Sequence, residues 1–300
     1  MKTSMLPRRI AATLLLSSFT VFAPLLGAQS RPAPRGTLFI VGGGTQPAAL
    51  VEDFVKRSGG SSARIVVFAM ASASGERSGE AKAKDLQALG GQARNIWITR
   101  AQADNDSIVQ LLDGVTGVWF GGGDQNRLAA ALRGSKVERA IRARYDAGAV
   151  VGGTSAGAAV ISSPMITGEE LLRKDTTETW TRVKRGTVQV DSGFSYITNA
   201  VIDQHFLRRK RHNRLMSLVL ADAPHLGIGI DEGTALIVEP SGLWRIAGAS
   251  AALIIDARDA TRTAADRDVL GASNVRMHLL PDGATFDPKS GKATLGGAKQ

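Results

Sequence analysis

The stretch Gly148–Val160 constrains the fold more than any other part of the sequence. Residues 149–151 form an apolar run that is too short for a helix, and glycines and an alanine-rich segment follow it. This pattern predicts a buried strand, a sharp turn and the start of a helix. Gly153–Gly157 matches G-x-S-x-G, in which the flanking glycines allow a bend that exposes a serine hydroxyl. We therefore predict Ser155 as a nucleophile, with helix capping by Ser155 as the alternative.

Backbone N–H groups from two loops are predicted to lie beside Ser155. The N–H of Ala156, at the start of the helix, would face a developing oxyanion, and the helix dipole favours negative charge there. A second glycine turn follows the apolar run 117–120 and contains Gly122 and Gly123. Their N–H groups are candidates for a second oxyanion donor.

Other features of the glycine turns are less specific. Gln125 carries an amide that can bind substrate, whereas Asp124 is equally suited to be the N-cap of a helix. The run Gly42–Gly44 follows the first predicted strand, but it has neither the lysine nor the spacing of a phosphate-binding loop. We expect it to serve in close backbone packing or in shaping a pocket, rather than in nucleotide binding.

Alternation of short apolar runs with helical segments predicts an α/β fold. Strands that alternate with helices pair in parallel through right-handed crossovers, and helices then cover both faces of the sheet. We expect one mostly parallel sheet in a single domain over residues 37–300, with a terminal hairpin around Pro281–Ala284. The predicted strands of the parallel part are 37–41, 64–68, 95–99, 117–120 and 149–151, and the predicted helices are 47–57, 76–89, 104–112 and 136–146.

The N-terminal residues are predicted to lie outside this domain. Basic residues precede the apolar stretch 10–26, and small residues follow it, which is the pattern of a secretory signal peptide at 1–28 with a leader at 29–36. An uncleaved membrane anchor is the alternative, although the apolar stretch is short and interrupted by polar residues. The protein is therefore expected to be secreted or periplasmic.

Composition narrows the possible partners and chemistry. The formal charge of +10 would suit nucleic acid, but aromatic residues make up only 5% of the sequence and no nucleic-acid motif is recognisable. Because the sequence has no cysteine, disulfides, a thiolate nucleophile and cysteine-based metal sites are excluded. We expect no nucleic-acid partner.

A histidine and a basic segment follow one another in the second half of the chain. Val201–Phe206 runs from apolar to polar, as expected for a strand that ends in a site, and it places His205 as a candidate base. Arg208–Arg214 is either a solvated basic face or a group of guanidinium donors for carboxylates. The second interpretation predicts acyl transfer on an acidic peptide. The charged stretch 169–185 is expected to be a surface insertion or flap.

A triad in the order serine, histidine, acid needs a carboxylate after His205. The segment 227–238 reads as strand, acidic turn and strand, and its turn offers both Asp231 and Glu232. His212 and His225 are rival bases, but neither follows an Asp-Gln pair, so surface or capping roles are expected for them.

Four pieces of the sequence together resemble the cyanophycinases, serine peptidases related to aspartyl dipeptidase. They occur in the order found in that family and span more than a hundred residues. They are Gly121–Gln125, Gly152–Ala158, Asp203–Phe206 with the arginines after it, and Gly229–Ala235.

The resemblance implies a role for each matching position. Ser155 would be the nucleophile, His205 the general base and Glu232 the acid that orients the imidazole, with Asp231 as the competing acid. The implied fold is a class I glutamine amidotransferase-like (flavodoxin-like) single α/β domain, usually dimeric, without a metal or an organic cofactor. The implied substrate-binding residues are Gln125, Asp203, Gln204, Arg209, Arg211 and Arg214.

The resemblance also implies a substrate. Cyanophycin is a polyaspartate whose side-chain carboxylates carry arginine, and the family releases β-aspartyl-arginine from it. Arginines of the protein would then hold aspartyl carboxylates, and Asp203 is a candidate partner for a substrate guanidinium. An aspartyl or isoaspartyl dipeptidase of the same mechanism is one alternative, and a non-catalytic periplasmic peptide-binding protein is another. The unusually basic segment 208–214, with Asn213 before Arg214, is a departure that bears on specificity.

Overall fold

The computed structural model describes residues 1, 33–170 and 183–297, without the side chains of residues 169 and 170. The predicted signal peptide and most of the leader lie outside the described residues, as does most of the predicted insertion at 169–185. The α-helices are α1 (Ala48–Arg57), α2 (Gly75–Ala88), α3 (Asp106–Gln110), α4 (Gln125–Leu132), α5 (Lys136–Asp146), α6 (Ala156–Ala159) and α7 (His212–Ala221), with 3-10 turns at Gly60–Ser62 and Gln102–Asp104.

Strands account for much of the remaining described chain. They are β1 (Thr37–Val41), β2 (Arg64–Phe68), β3 (Gln92–Asn95), β4 (Gly117–Phe120), β5 (Val150–Thr154), β6 (Met165–Glu170), β7 (Val188–Asp191), β8 (Val201–Gln204), β9 (Leu226–Ile230), β10 (Thr234–Val238), β11 (Trp244–Gly248), β12 (Ala251–Asp256), β13 (Thr261–Arg262), β14 (Ala272–Ser273), β15 (Arg276–Pro281), β16 (Thr285–Asp287) and β17 (Lys292–Thr294).

The first half of the chain builds a parallel sheet, as predicted. Strands β1, β5, β4, β2 and β3 lie side by side in that order, and each neighbouring pair is parallel. On the β1 edge, β10, β11, β16 and β17 continue the sheet with antiparallel pairs. Within the described residues the sheet thus has nine strands and is mixed, with four parallel and four antiparallel pairs.

A second sheet was not predicted. It has the order β15, β12, β9, β8, β6, β7, and it is parallel only where β8 pairs with β6 and with β9. Its strands come mainly from the second half of the chain, where strand follows strand with few helices between them. The expectation of a single sheet was therefore wrong.

Apolar side chains fill three layers around these two sheets. The largest cluster lies between the sheets, where Val118 and Val151 of the first sheet share a core with Ile202 and Ile228 of the second. A second cluster packs α1 and α2 on the other face of the nine-stranded sheet, and a third packs α7 on the outer face of the six-stranded sheet. Helices α4, α5 and α6 join the central layer, so helices do lie on both faces of the parallel strands.

Two local predictions differ from the structure. The expected strand at 95–99 is formed at β3 instead, because pairing with β2 ends where Ile96 N donates to Val67 O at 2.8 Å. Ile96 and Ile98 stay buried beyond the ladder, which explains the apolar alternation that suggested a strand. The terminal hairpin expected around Pro281–Ala284 does not form there, since β15 pairs with β12 in one sheet and β16 pairs with β11 in the other. The hairpin of the tail is β16–β17 instead.

Candidate active site

Ser155 lies on a sharp turn between β5 and α6. Its φ of 55° and ψ of −111° are unusual for a residue with a side chain, and they raise the hydroxyl above the end of the strand. The flanking glycines leave room for this turn. A Cβ on Gly157 would lie 2.1 Å from Phe120 O, and one on Gly153 would lie 2.6 Å from Gly157 O. The sequence therefore needs glycine at both positions.

His205 lies directly after β8, and its ring reaches Ser155. The Ser155 Oγ and His205 Nε2 atoms are 2.9 Å apart, within hydrogen-bonding distance. The His205 backbone has a φ of 50°, and its N–H donates to Gly42 O at 2.7 Å. This bond joins the end of β8 in one sheet to the end of β1 in the other, so the site forms where strands from both sheets end.

Glu232 completes the arrangement. His205 Nδ1 lies 2.6 Å from Glu232 Oε1, so the carboxylate is placed to orient the imidazole. Asp231, the competing acid, points elsewhere: its carboxylate accepts from Arg208 N at 2.8 Å and from Ser250 Oγ at 2.8 Å. Neighbouring side chains of the acidic turn thus have different partners, and Glu232 is the one at His205.

Two glycines of the β1–α1 loop pack directly against these side chains. A Cβ on Gly43 would lie 2.3 Å from His205 Cε1, and one on Gly44 would lie 2.7 Å from Glu232 Cβ. Both glycines also have positive φ, at 114° and 68°. The sequence predicted close packing for the Gly42–Gly44 run, but not that the packed groups would be the histidine and the acid. The position of this glycine run directly after the first strand was the one feature of the sequence that could have indicated a place in the active site.

The pKa of His205 suits a general base. Burial lowers this pKa from the ordinary value of 6.5, and the contact with Glu232 opposes the effect, while the charges of Arg209 and Arg211 lower the pKa further. The net direction is downward, so the imidazole is neutral and able to accept a proton near neutral pH.

The predicted oxyanion residues lie close to the nucleophile. A Cβ on Gly122 would be 3.5 Å from Ser155 Cβ, so the glycine turn after β4 lies against the serine. Gly123 has a φ of 137°, and a Cβ there would be 2.2 Å from Ala71 O. Ala156 is buried at the start of α6, next to Ser155. The role of these three N–H groups stays a prediction.

Asp203 and Arg214 form a buried ion pair. Arg214 Nε donates to Asp203 Oδ2 at 2.8 Å, Arg214 Nη2 donates to Oδ1, and the Asp203 side chain is fully buried. The hypothesis that Asp203 binds a substrate guanidinium is therefore not supported, because its oxygens are already occupied and shielded from solvent. Arg214, predicted to hold a carboxylate of the substrate, holds Asp203 instead.

The remaining predicted substrate residues are nearer to solvent. Arg211 Nη1 donates to Gln204 Oε1 at 2.9 Å and lies 3.7 Å from Asp203 Oδ1. Burial, followed by the charge of Arg214, lowers the pKa of Arg211 to about 10. Arg209 is exposed. The arginine segment thus holds more positive charge than Asp203 neutralises, which favours an anionic ligand.

Gln125 has a structural partner as well. It is buried, and its Nε2 donates to Ile166 O at 2.8 Å, which ties α4 to β6. Asp124 accepts from Asn126 N at 2.8 Å and so is the N-cap of α4, as the sequence predicted. Substrate binding by the Gln125 carbonyl oxygen stays a prediction.

The rival histidines lie apart from Ser155. The His212 ring packs on Phe206 with 5.0 Å between centroids, and His225 Nδ1 lies 2.7 Å from Val219 O. In the parts of the chain that the structure describes, no group of three or more His, Asp or Glu side chains is arranged to hold a metal ion. Within residues 33–170 and 183–297, no helix has the length and apolar character to cross a membrane.

A serine hydroxyl bonded to a histidine that a carboxylate orients, all held on an α/β fold, defines a serine-type hydrolase. The family model described as Peptidase family S51 matches residues 38–246, a span that contains all three side chains. The chain belongs to this family and is a serine-type peptidase.

Known proteins resemble this chain over most of its length. A cyanophycinase from Synechococcus elongatus is 31% identical over 263 residues, which cover 84% of this chain and 79% of the relative. A cyanophycinase from Nostoc sp. is 30% identical over 274 residues, covering 88% and 89%. The crystal structure of a peptidase from an acI-B1 Actinobacterium has a TM-score of 0.63 at 21% identity and covers 85% of this chain and 98% of its own, which is a likeness of fold.

Proposed function

We propose that this protein is a serine-type exopeptidase that hydrolyses cyanophycin to β-aspartyl-arginine through an acyl-enzyme. The observation that carries the proposal is the relay from Ser155 Oγ to His205 Nε2 at 2.9 Å and from His205 Nδ1 to Glu232 Oε1 at 2.6 Å. Ser155 attacks an aspartyl carbonyl carbon, and His205 accepts the hydroxyl proton and returns it to the leaving amine. Water then hydrolyses the acyl-enzyme by the same route.

Two observations support the proposed substrate: the positive charge near the active site and the names of the related proteins. Arg209 and Arg211 lie on the segment that follows His205, and the excess of positive charge there suits free aspartyl carboxylates. Relatives of about 30% identity are named cyanophycinases, which supports the same polymer as substrate. Gly122, Gly123 and Ala156 would supply the N–H groups that stabilise the tetrahedral oxyanion.

We further propose that the protein is exported and acts as a homodimer of class I glutamine amidotransferase-like subunits. The charged start, apolar stretch and small residues of the first 28 positions support export. Dimerisation is proposed only on the resemblance to the family.

The decisive experiment is to incubate the protein with insoluble cyanophycin and to identify the products by mass spectrometry. β-Aspartyl-arginine is expected from the wild type, and Ser155→Ala should lower turnover by about a million-fold. Substantial residual turnover by Ser155→Ala would contradict the mechanism. If the polymer stays intact but a serine-reactive phosphonate still labels Ser155, the protein would be a serine hydrolase with a different substrate. Small aspartyl or isoaspartyl peptides would then be the proposed substrates.

A further inference from the structure

We propose that Trp97 forms a distal substrate subsite that stacks on a guanidinium group of the peptide polymer, several residues from the bond that is cut. This inference rests on the proposed function for its substrate. Trp97 follows β3 and is 50% exposed, although it is a large aromatic side chain.

A continuous row of contacts connects Trp97 to the nucleophile. Gly122 lies against Ser155, and the next residue, Gly123, lies against the loop after β2, where its Cβ would be 2.8 Å from Ser72 N. The same loop leads to Gly75 at the start of α2. A Cβ on Gly75 would be 2.9 Å from both Cδ1 and Nε1 of Trp97. Each contact lies at the carboxyl end of a parallel strand, the edge at which ligands bind in such sheets.

The position of Trp97 sets the length of substrate that can reach it. Strands β4 and β2 lie between β5, which carries Ser155, and β3, which precedes Trp97. Three inter-strand spacings amount to about 14 Å, and an extended peptide covers that distance in roughly four residues. A dipeptide bound at Ser155 would not reach the ring, whereas a polymer would.

Hydroxyl groups lie along the same route. Ser72 Oγ accepts from Ser74 N at 3.1 Å, and both serines are on the turn between the Gly123 contact and Gly75. Ser74 is exposed and Ser72 is partly exposed, so both can bond to a peptide backbone. This turn offers polar contacts to a chain that leads from the catalytic centre to Trp97.

The ring chemistry of Trp97 favours a cation. The indole face attracts guanidinium groups more strongly than other aromatic rings do. Glu76, next to the glycine that touches the ring, is exposed, and so is Arg77 beside it. Of the two arginines three residues from Trp97 in sequence, Arg100 pairs with Asp104 at 2.6 Å and Arg94 is exposed, so the preference for a cation rests on the indole face. A polymer that carries arginine on each aspartate presents guanidinium groups at regular spacing to such a ring.

Binding to the polymer tests the subsite without relying on turnover. In a Ser155→Ala background, co-sedimentation with insoluble cyanophycin should weaken about fivefold or more when Trp97→Ala is added, as expected for the loss of a cation–π contact. Trp97→Phe should retain most of the affinity. Met277→Ala is the matched control, because Met277 is 51% exposed on β15 in the other sheet, and it should change nothing.

Soluble polyaspartate, which has no guanidinium groups, separates the possible outcomes. Trp97→Ala should leave its binding unchanged if the ring recognises arginine. Equal losses on both polymers would overturn the guanidinium assignment, and no loss on cyanophycin would overturn the subsite. Absence of hydrolysis by the wild type, with Trp97-dependent binding intact, would instead refute the proposed activity alone. If Ser155→Ala fails to bind cyanophycin at all, both proposals are wrong.

Discussion

Gly43 lies so close to the imidazole of His205 that a methyl group on its Cα would stand 2.3 Å from Cε1 and 2.5 Å from Nε2. Nε2 is also the atom that bonds to Ser155. The backbone of the β1–α1 loop therefore packs directly against the His205 ring at Gly43. At Gly44 the same loop packs against the Glu232 side chain. The loop is part of the active site although it contributes no reactive group.

Gly43→Ala is expected to displace the His205 ring and to lower kcat by about a hundredfold or more, because a shift of about 1 Å in a catalytic group has effects of that size. The methyl would also strain a backbone with a φ of 114°. Steady-state kinetics together with thermal unfolding would measure the two effects separately.

Gly148→Ala provides the matched control for that prediction. Gly148 has a φ of 116°, close to that of Gly43, but no atom lies within 4 Å of where its Cβ would be. Alanine at this position would therefore strain the backbone as in Gly43→Ala without displacing a neighbouring side chain. Gly148→Ala should lose roughly 1 to 3 kcal/mol of stability from this strain, and Gly43→Ala should lose at least as much because of its added clash with His205. If Gly148→Ala lost as much activity as Gly43→Ala, contact with His205 would not be the cause.

Glu232→Gln should lower kcat by about a thousand- to ten-thousandfold, since the amide neither stabilises the imidazolium nor holds the same tautomer. Asp231→Asn should leave kcat largely unchanged and cost about 1 to 2 kcal/mol of stability, because Asp231 accepts bonds from Arg208 N and Ser250 Oγ. Steady-state kinetics and chemical denaturation of the two variants would test whether Glu232 serves catalysis and Asp231 serves stability. The reverse result would identify Asp231 as the acid.

The sequence predicted the turn at Ser155 well because its constraint is local. Strand, glycines and helix start lie within thirteen residues, and a Cβ on Gly152, Gly153 or Gly157 would clash with neighbouring backbone. Asp231 and Glu232 could not be separated in the same way, since they are adjacent and lie at nearly the same sequence distance from His205. Contacts that arise from the fold decide which carboxylate faces the ring: Glu232 lies at His205 Nδ1, whereas Asp231 accepts from Arg208 and Ser250.

The second sheet and the Asp203–Arg214 pair could not be predicted from the sequence, because both depend on contacts between residues that are not neighbours in the local pattern. A run such as 276–281 has the same apolar pattern whether it pairs with β12 or with the neighbouring β16, and pairing choice depends on packing between sheets. Likewise, an arginine near a proposed pocket is equally suited to a substrate carboxylate or to Asp203. Burial of Arg214, which is 2% exposed, resolves this case.

Breaking the buried pair should affect stability more than catalysis. Asp203→Asn leaves the charge of Arg214 buried without a full counter-charge, so the free energy of unfolding should fall by about 3 to 5 kcal/mol. Combining Asp203→Leu with Arg214→Met should recover most of that loss, because two apolar groups replace both charges. Denaturant unfolding measures both. A normal stability for Asp203→Asn, with a raised KM, would instead favour direct binding of substrate by Asp203.

The pH dependence of kcat/KM should report the lowered pKa of His205. A protonated imidazole cannot accept the Ser155 proton, so activity is lost as pH falls through this pKa, which lies below the ordinary 6.5. The positive charge of Arg209 is one cause of the lowering. Arg209→Gln should therefore raise the pKa and move the acidic limb of the profile to higher pH.

Arg208→Gln is the control for this shift, because Arg208 belongs to the same exposed basic segment but is not among the groups that lower the pKa of His205. Its backbone bond to Asp231 would be retained. Added salt should reproduce part of the Arg209→Gln shift in the wild type, since it screens an exposed charge. If Arg208→Gln and Arg209→Gln moved the limb equally, total charge rather than the position of Arg209 would set the pKa of the base.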